Sequence, residues 1–120
     1  MSALKRWHQF VRGFGCVICC SPASIHHPRG GSVAGEASAG RKSSEAGVIP
    51  LCHYHHQGAE GIHHLGVETW EAKYGPQTAH RATLQRLIAA WERDAGRTAP
   101  QPPAEAEPAL PKMLPRWGVR

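Results

Sequence analysis

Two short cysteine and histidine motifs provide the clearest chemistry in the sequence. Cys16 and Cys19 form a Cys-x2-Cys pair, and Cys52 and His55 form a Cys-x2-His pair further along the chain. Thiolate and imidazole pairs at this spacing are typical of a closed tetrahedral zinc site, which contributes folding free energy and leaves no position open for catalysis. Cys20 leaves one choice open, because it can replace Cys19 as a ligand or lie nearby as a free thiol. The motifs predict one structural Zn²⁺.

Histidine is concentrated in the same region. The chain has nine histidines, and seven of them lie between residues 26 and 64. Neutral imidazole is the commonest metal ligand in proteins. His56 would point about 100° away from His55 on a helix. We therefore expect a second metal set that contains His56 together with His63 or His64.

The adjacent pair His26 and His27 lies between the two zinc motifs. Successive side chains of a strand point to opposite faces, so one ring can bind a metal while the other faces a substrate. Phosphodiester cleavage needs a base that activates water, a cation against the phosphate and stabilisation of the leaving oxygen. His27, a histidine-bound divalent ion and the nearby cations would meet these needs. The cations that we expect to contact DNA are Arg29, Arg41 and Lys42.

Length and charge limit the classes of protein that fit. A chain of 120 residues has room for one modest domain, for which a metal staple is a plausible source of stability. The formal charge of +5 favours a polyanionic partner such as DNA. The longest apolar runs fall well short of the roughly 18 to 20 residues that a membrane span needs. We expect a soluble, cytoplasmic protein without a membrane partner.

Short elements must bring the motifs together. Residues 14–20 predict a brief strand that runs into the first zinc motif, and residues 24–27 predict a second strand that carries the histidine pair. Residues 29–47 are rich in Gly, Ser and Ala and predict a flexible loop. The apolar segment 48–51 leads to Cys52, where a helix is expected to begin.

The flanking segments are expected to support this core. Residues 1–13 predict a basic N-terminal arm lying on the core, or a short helix, and residues 14–97 predict the main domain. Helices are predicted over 64–74 and 77–95, the latter followed by Gly96. Its apolar stripe has helical spacing and predicts a core face formed by Leu84, Leu87, Ile88 and Trp91. Residues 98–120 contain many prolines and predict a disordered tail.

Taken together, these motifs resemble the HNH (ββα-metal) endonucleases, and more closely the phage-type Ref group of RecA-dependent nucleases. The resemblance covers about residues 10–80. The segments that carry it are Cys-Val-Ile-Cys, Ile-His-His, Arg-Lys-Ser-Ser-Glu, Val-Ile-Pro-Leu-Cys-His-Tyr-His-His, and Gly-Ile-His-His-Leu-Gly with Trp-Glu-Ala-Lys-Tyr-Gly. The resemblance implies an α+β fold: a zinc-stapled ββα-metal core with an added C-terminal helix.

The resemblance also implies roles for individual residues. The zinc ligands would again be Cys16, Cys19, Cys52 and His55. The ligands of a catalytic divalent ion, usually Mg²⁺ with Mn²⁺ as an alternative, would be His26, His56 and His63. His27 would be the general base, and Glu45, where relatives usually have Asp, would orient it. The implied activity is hydrolysis of DNA in phage recombination or DNA processing, with a RecA-like recombinase filament as a possible partner.

Two other hypotheses compete with a nuclease. A non-catalytic zinc module that binds nucleic acid or a recombinase needs only the Cys3His set and gains nothing from His26, His27, His56 and His63. A metal-storage protein would string its histidines along a tail, whereas here they are clustered in motif order. The second histidine set therefore separates the leading hypothesis from its alternatives.

Overall fold

The computed structural model describes residues 1–36 and 45–103, and these form a small, mostly helical α+β unit. Its two strands are β1 (Ser24–His26) and β2 (Ile49–Leu51). The helices are α1 (Ala3–Arg12), α2 (His53–His56), α3 (Ile62–Leu65), α4 (Val67–Tyr74) and α5 (Gln77–Ala95). Single 3₁₀ turns are formed by Gly31–Val33 and Glu45–Gly47. The predicted α+β class is confirmed.

The two strands pair antiparallel and bring distant parts of the sequence together. Ser24 lies opposite Leu51, and His26 lies opposite Ile49. Pro50 is compatible with this pairing, since both strands of a two-stranded sheet are edges where a missing N–H donor is tolerated. Helix α2 follows β2 after one residue. The pairing thus brings β1, which carries His26, beside β2, which leads into the second zinc motif and α2.

Two groups of buried side chains support this arrangement. One lies under the zinc motifs and includes Ile49, Leu51, Ile62 and Trp70. The other joins α1 and α5 to the sheet and consists of Trp7, Val11, Val48 and Leu84. For residues 1–13 the sequence left a short helix or an arm lying on the core open, and the structure has the helix, α1, as part of the core. The reason is that Trp7 and Val11 lie one turn apart on α1 and are both buried.

Three predicted elements differ in detail. Residues 14–20 form turns instead of a strand, because the Cys16 carbonyl accepts the N–H of Cys20 and the chain reverses. The predicted helix over 64–74 is two helices separated by Gly66, whose φ of 90° is open to glycine but strained for other residues. Leu87 is 42% exposed and lies outside the core, although its stripe neighbour Leu84 is buried.

The first residues of the predicted tail pack against the domain. Ala99 is buried, and its backbone N–H donates to the carboxylate of Glu92 on α5 at 2.7 Å. Residues 98–103 therefore lie against the domain, and the rest of the predicted tail, 104–120, lies outside the described residues. Among the helices that the structure describes, none is long and apolar enough to cross a membrane.

Candidate metal centres

The four predicted zinc ligands come together at one point. The Sγ atoms of Cys19 and Cys52 are 3.7 Å apart. The Nδ1 atom of His55 lies 3.3 Å from Cys52 Sγ and 3.9 Å from Cys16 Sγ. Tetrahedral zinc with typical bond lengths places two sulfurs about 3.8 Å apart, and a sulfur and a nitrogen about 3.6 Å apart. This Cys3His cluster can therefore hold a structural metal such as zinc.

The electrostatics of the thiols also suit a metal. Hydrogen bonds with the side chain and backbone of Ser21 lower the pKa of Cys19 to about 6, which favours the thiolate that binds metals. Burial raises the pKa of Cys52 above its usual value. A coordinating cation offsets such a burial cost, because a thiol that binds a metal is deprotonated outright.

Cys20 lies outside the metal cluster. It is exposed, and it follows Cys19 with a left-handed φ of 68°. That backbone conformation reverses the chain after the first motif, in the position where a glycine would be unstrained. Among the described residues Cys19, and not Cys20, lies in the cluster with Cys16, Cys52 and His55. This is the choice between Cys19 and Cys20 that the sequence left open.

A second cluster is formed by three histidines from three elements. His26 ends β1, His56 ends α2 and His63 lies in α3, and their ligand nitrogens lie within 4.8 Å of one another. The Nε2 atoms of His56 and His63 are 3.1 Å apart. Two nitrogens on one divalent ion lie about 2.9–3.4 Å apart for bonds of 2.0–2.1 Å. His64, the alternative to His63, is exposed and is not in the cluster.

Gln77 determines which nitrogen of His26 carries a proton. The Gln77 amide group donates to the carbonyl of Arg29 at 3.0 Å and to Glu71 Oε2 at 3.2 Å, both of which only accept. Its oxygen must therefore face the other way, where it accepts from His26 Nε2 at 2.9 Å. This leaves the lone pair of His26 on Nδ1. Metal-binding histidines commonly donate their second N–H in this manner.

Ser24 determines in the same way which nitrogen of His56 carries a proton. Its hydroxyl donates to the Leu51 carbonyl at 3.0 Å, so its oxygen accepts from His56 Nδ1 at 3.0 Å. The lone pair of His56 is thereby directed through Nε2 toward His63. Burial lowers the pKa of both His26 and His56 to about 4, so both rings are neutral at pH 7, the form that binds a metal.

Three imidazoles without a carboxylate are a selective set of donors. Imidazole suits Zn²⁺ and similar transition-metal ions, whereas Mg²⁺ strongly prefers oxygen ligands. The donors of the His26, His56 and His63 cluster therefore favour a transition-metal ion over the Mg²⁺ that the sequence resemblance implies.

The side chain of His27 lies in a different cluster from that of its neighbour His26. Its Nε2 lies 3.0 Å from Glu45 Oε2, and Glu45 Oε1 lies 2.6 Å from His8 Nε2. Burial raises the pKa of Glu45, but hydrogen bonds from His8 and His27 outweigh it, and the pKa lies below its usual value. The carboxylate is therefore ionised at neutral pH and accepts from both rings.

The predicted DNA contacts are only partly within the described residues. Arg29 is exposed two residues after the histidine pair, and its backbone is held by Gln77. Arg41 and Lys42 lie outside the described residues.

Three site residues were missed by the sequence analysis: His8, Ser24 and Gln77. His8 belonged to a segment interpreted as a short helix or an arm, and the large apolar side chain of Trp7 beside it was the available signal. Ser24 and Gln77 are ordinary polar residues whose importance depends on contacts across 32 and 51 positions of sequence. A single sequence carries no pattern that pairs such distant residues.

The fold and these clusters define a small α+β domain with a Cys/His site able to hold a structural metal such as zinc. Comparison with protein families matches residues 2–96 to the family described as "Protein of unknown function (DUF968)". The match covers most of the chain, and the protein belongs to this family. It runs from α1 to the end of α5, so the family unit includes the N-terminal helix. No curated protein and no solved structure matches the chain.

Proposed function

We propose that this protein is a metal-dependent endonuclease of the HNH type, which hydrolyses phosphodiester bonds in DNA. One observation carries the proposal. The neighbours His26 and His27 enter different clusters, one suited to a divalent ion and the other to a general base. A purely structural zinc module would need the Cys3His set alone and would gain nothing from this second arrangement.

His27 is the proposed base. Because Glu45 accepts the proton on Nε2, the Nδ1 atom of His27 is left with a lone pair. That nitrogen takes a proton from water, the water oxygen forms a bond to phosphorus, and the bond from phosphorus to the leaving oxygen breaks. Glu45 holds the ring in the required tautomer and stabilises the positive charge that the ring acquires.

The histidine cluster is the proposed site of the catalytic ion. A divalent ion bound by His26, His56 and His63 would supply positive charge against the phosphate and stabilise the leaving oxygen. Gln77 and Ser24 hold two of these rings with their lone pairs free for this purpose. From the donor set we expect Mn²⁺ to support cleavage at lower concentrations than Mg²⁺.

Binding of DNA is proposed from charge. The chain carries a formal charge of +5, and the exposed Arg29 follows the histidine pair by two residues. Arg29, together with Arg41 and Lys42, would contact the phosphate backbone, and such contacts make binding sensitive to salt. A recombinase filament as a partner is proposed from the sequence resemblance alone.

A plasmid-nicking assay tests the proposal. Supercoiled plasmid is incubated with zinc-loaded protein and increasing Mn²⁺ or Mg²⁺, with and without excess EDTA and with and without a RecA filament. We expect nicked or linear DNA that depends on the added ion and disappears with EDTA. Folded, zinc-loaded protein that binds plasmid but never cuts it under any of these conditions would instead favour the non-catalytic zinc module.

A further inference from the structure

The N-terminal helix holds Glu45 at two points. The indole N–H of Trp7 donates to the backbone carbonyl of Glu45 at 2.7 Å. The next residue, His8, contacts the carboxylate at 2.6 Å. Trp7 is buried in the core, so packing fixes its position. The backbone of the next residue, His8, is therefore held in place as well. Successive residues of α1 therefore fix both the backbone and the side chain of Glu45.

Glu45 needs such support. It begins a single 3₁₀ turn, and the segment before it, 37–44, is rich in Gly, Ser and Ala. A glutamate side chain has three rotatable bonds, and ordering such a chain costs up to about 2 kcal/mol of conformational entropy. With one oxygen held by His8, the other oxygen is directed to His27 Nε2 at 3.0 Å. His8 and His27 thus share one carboxylate, with an oxygen each.

We infer that His8 is a positioning residue, which holds Glu45 so that the carboxylate keeps the Nε2 proton on His27 and leaves Nδ1 free as a base. This inference rests on the proposed function for its effect on cleavage, although the geometry itself does not. His8, Glu45 and His27 are all partly buried, with 20%, 18% and 17% of their side chains exposed, so water competes weakly for these hydrogen bonds. The positioning residue thus lies on α1, a segment that the sequence analysis had placed outside the main domain.

A metal ion bound by His8, His27 and Glu45 is the competing explanation of the same cluster. Two ligand atoms on one ion lie about 2.9–3.4 Å apart. The contact of 2.6 Å between His8 and Glu45 is shorter than this range and matches a hydrogen bond to an ionised carboxylate.

NMR of the intact protein tests the geometry without reference to cleavage. An imidazole N–H gives a resolved signal only where a hydrogen bond protects it from exchange with water. We expect such a signal for His27 Nε2–H in the wild type, and its loss in His8→Ala but not in Gln9→Ala, which alters the exposed neighbour on the same helix. A His27 signal that survives in His8→Ala would overturn the inference. Binding of a third ion that is lost in both His8→Ala and Glu45→Ala would overturn it as well.

Cleavage kinetics test the consequence. We expect His8→Ala to lower kcat by about 10-fold or more with KM unchanged, because a general base contributes about 10²- to 10⁴-fold and part of this is lost when its tautomer is no longer fixed. His8→Gln, whose amide can still donate to Glu45, should recover most of that loss. In a Glu45→Ala background His8→Ala should add nothing, since the two act in series. Independent, multiplying losses would refute the inference while leaving the nuclease proposal intact.

If instead the wild type never cuts DNA, the proposed function fails. The NMR result then decides the positioning role by itself.

Discussion

Replacement of Cys19 by serine is the sharpest test of the structural metal. The sulfur of Cys19 lies 3.7 Å from that of Cys52, close to the roughly 3.8 Å of two thiolates on tetrahedral zinc. A serine hydroxyl stays protonated at neutral pH and has a shorter bond to carbon, so it does not replace the thiolate. Structural zinc contributes about 10–16 kcal/mol to folding in small domains, as much as the whole net stability of a typical domain. The variant should therefore bind zinc much more weakly and be largely unfolded without excess metal.

Cys20→Ser is the matched control. Cys20 is adjacent, also exposed and outside the cluster, so this change should leave metal content and stability unchanged. The assay is zinc content per chain by atomic emission, together with thermal unfolding followed by circular dichroism. We expect close to one zinc per chain in the wild type and Cys20→Ser, and a small fraction of that in Cys19→Ser. Equal zinc content in the two variants, or a well-folded wild type without zinc, would refute the reasoning.

Three further predictions follow from other parts of the site. His27→Ala should lower the cleavage rate by about 10²- to 10⁴-fold, while zinc content, DNA affinity and melting temperature stay near wild type; rescue of this variant by excess Mn²⁺ would contradict a role as base. Gln77→Met should weaken Mn²⁺ binding at the histidine cluster by about 10- to 100-fold in calorimetry, with zinc content unchanged. An unchanged affinity would mean that Gln77 serves packing alone. Truncation after residue 103 should leave the free energy of unfolding unchanged. Truncation after Arg97 should lower it by about 1–2 kcal/mol, because it removes buried Ala99 and its hydrogen bond to α5; urea unfolding distinguishes the two.

The pH dependence of stability tests whether hydrogen bonds to Glu71 lower the pKa of its carboxyl group. Burial raises the pKa of this carboxyl, but hydrogen bonds from the N–H groups of Gln77 and from the hydroxyl and backbone N–H of Ser32 outweigh burial, so its pKa lies below the usual 4.5. A lowered pKa in the folded state contributes stability above the unfolded pKa, and the contribution is lost as pH falls through the folded value. The difference in free energy of unfolding between wild type and Glu71→Gln should therefore stay constant at neutral pH and narrow as pH falls below the ordinary value of 4.5 and through the lower pKa of the folded state. A difference that stays constant would contradict the hydrogen-bond origin of the shift.

Local spacing was enough to predict much of the metal chemistry. The Cys-x2-Cys and Cys-x2-His pairs identified the four side chains that the fold brings together, because each pair sits in one tight turn or helix start. Helix α5 was also predicted with its ends at Gln77 and Ala95, since Gly75-Pro76 precedes it and Gly96 follows. These signals are local in sequence, so they do not depend on contacts between distant parts of the chain.

Features that depend on long-range packing could not be predicted in this manner. The choice between Cys19 and Cys20 depends on a turn that places only one sulfur beside Cys52. The place of α1 in the core depends on contacts of Trp7 with residues far along the chain. The role of His8 needs Glu45, 37 positions away. Each of these follows from tertiary contacts that hydrophobic periodicity does not encode.

The most direct test of the central claim compares two neighbouring histidines of α3 in the nicking assay. His63 and His64 are both exposed and adjacent, but only His63 places a ring nitrogen in the cluster with His26 and His56. His63→Ala should cut plasmid far more slowly at limiting Mn²⁺, recover in part at high Mn²⁺, and keep its structural zinc. His64→Ala should cut at the wild-type rate throughout. Equal activity of the two variants across the Mn²⁺ range would contradict a catalytic ion at this histidine cluster.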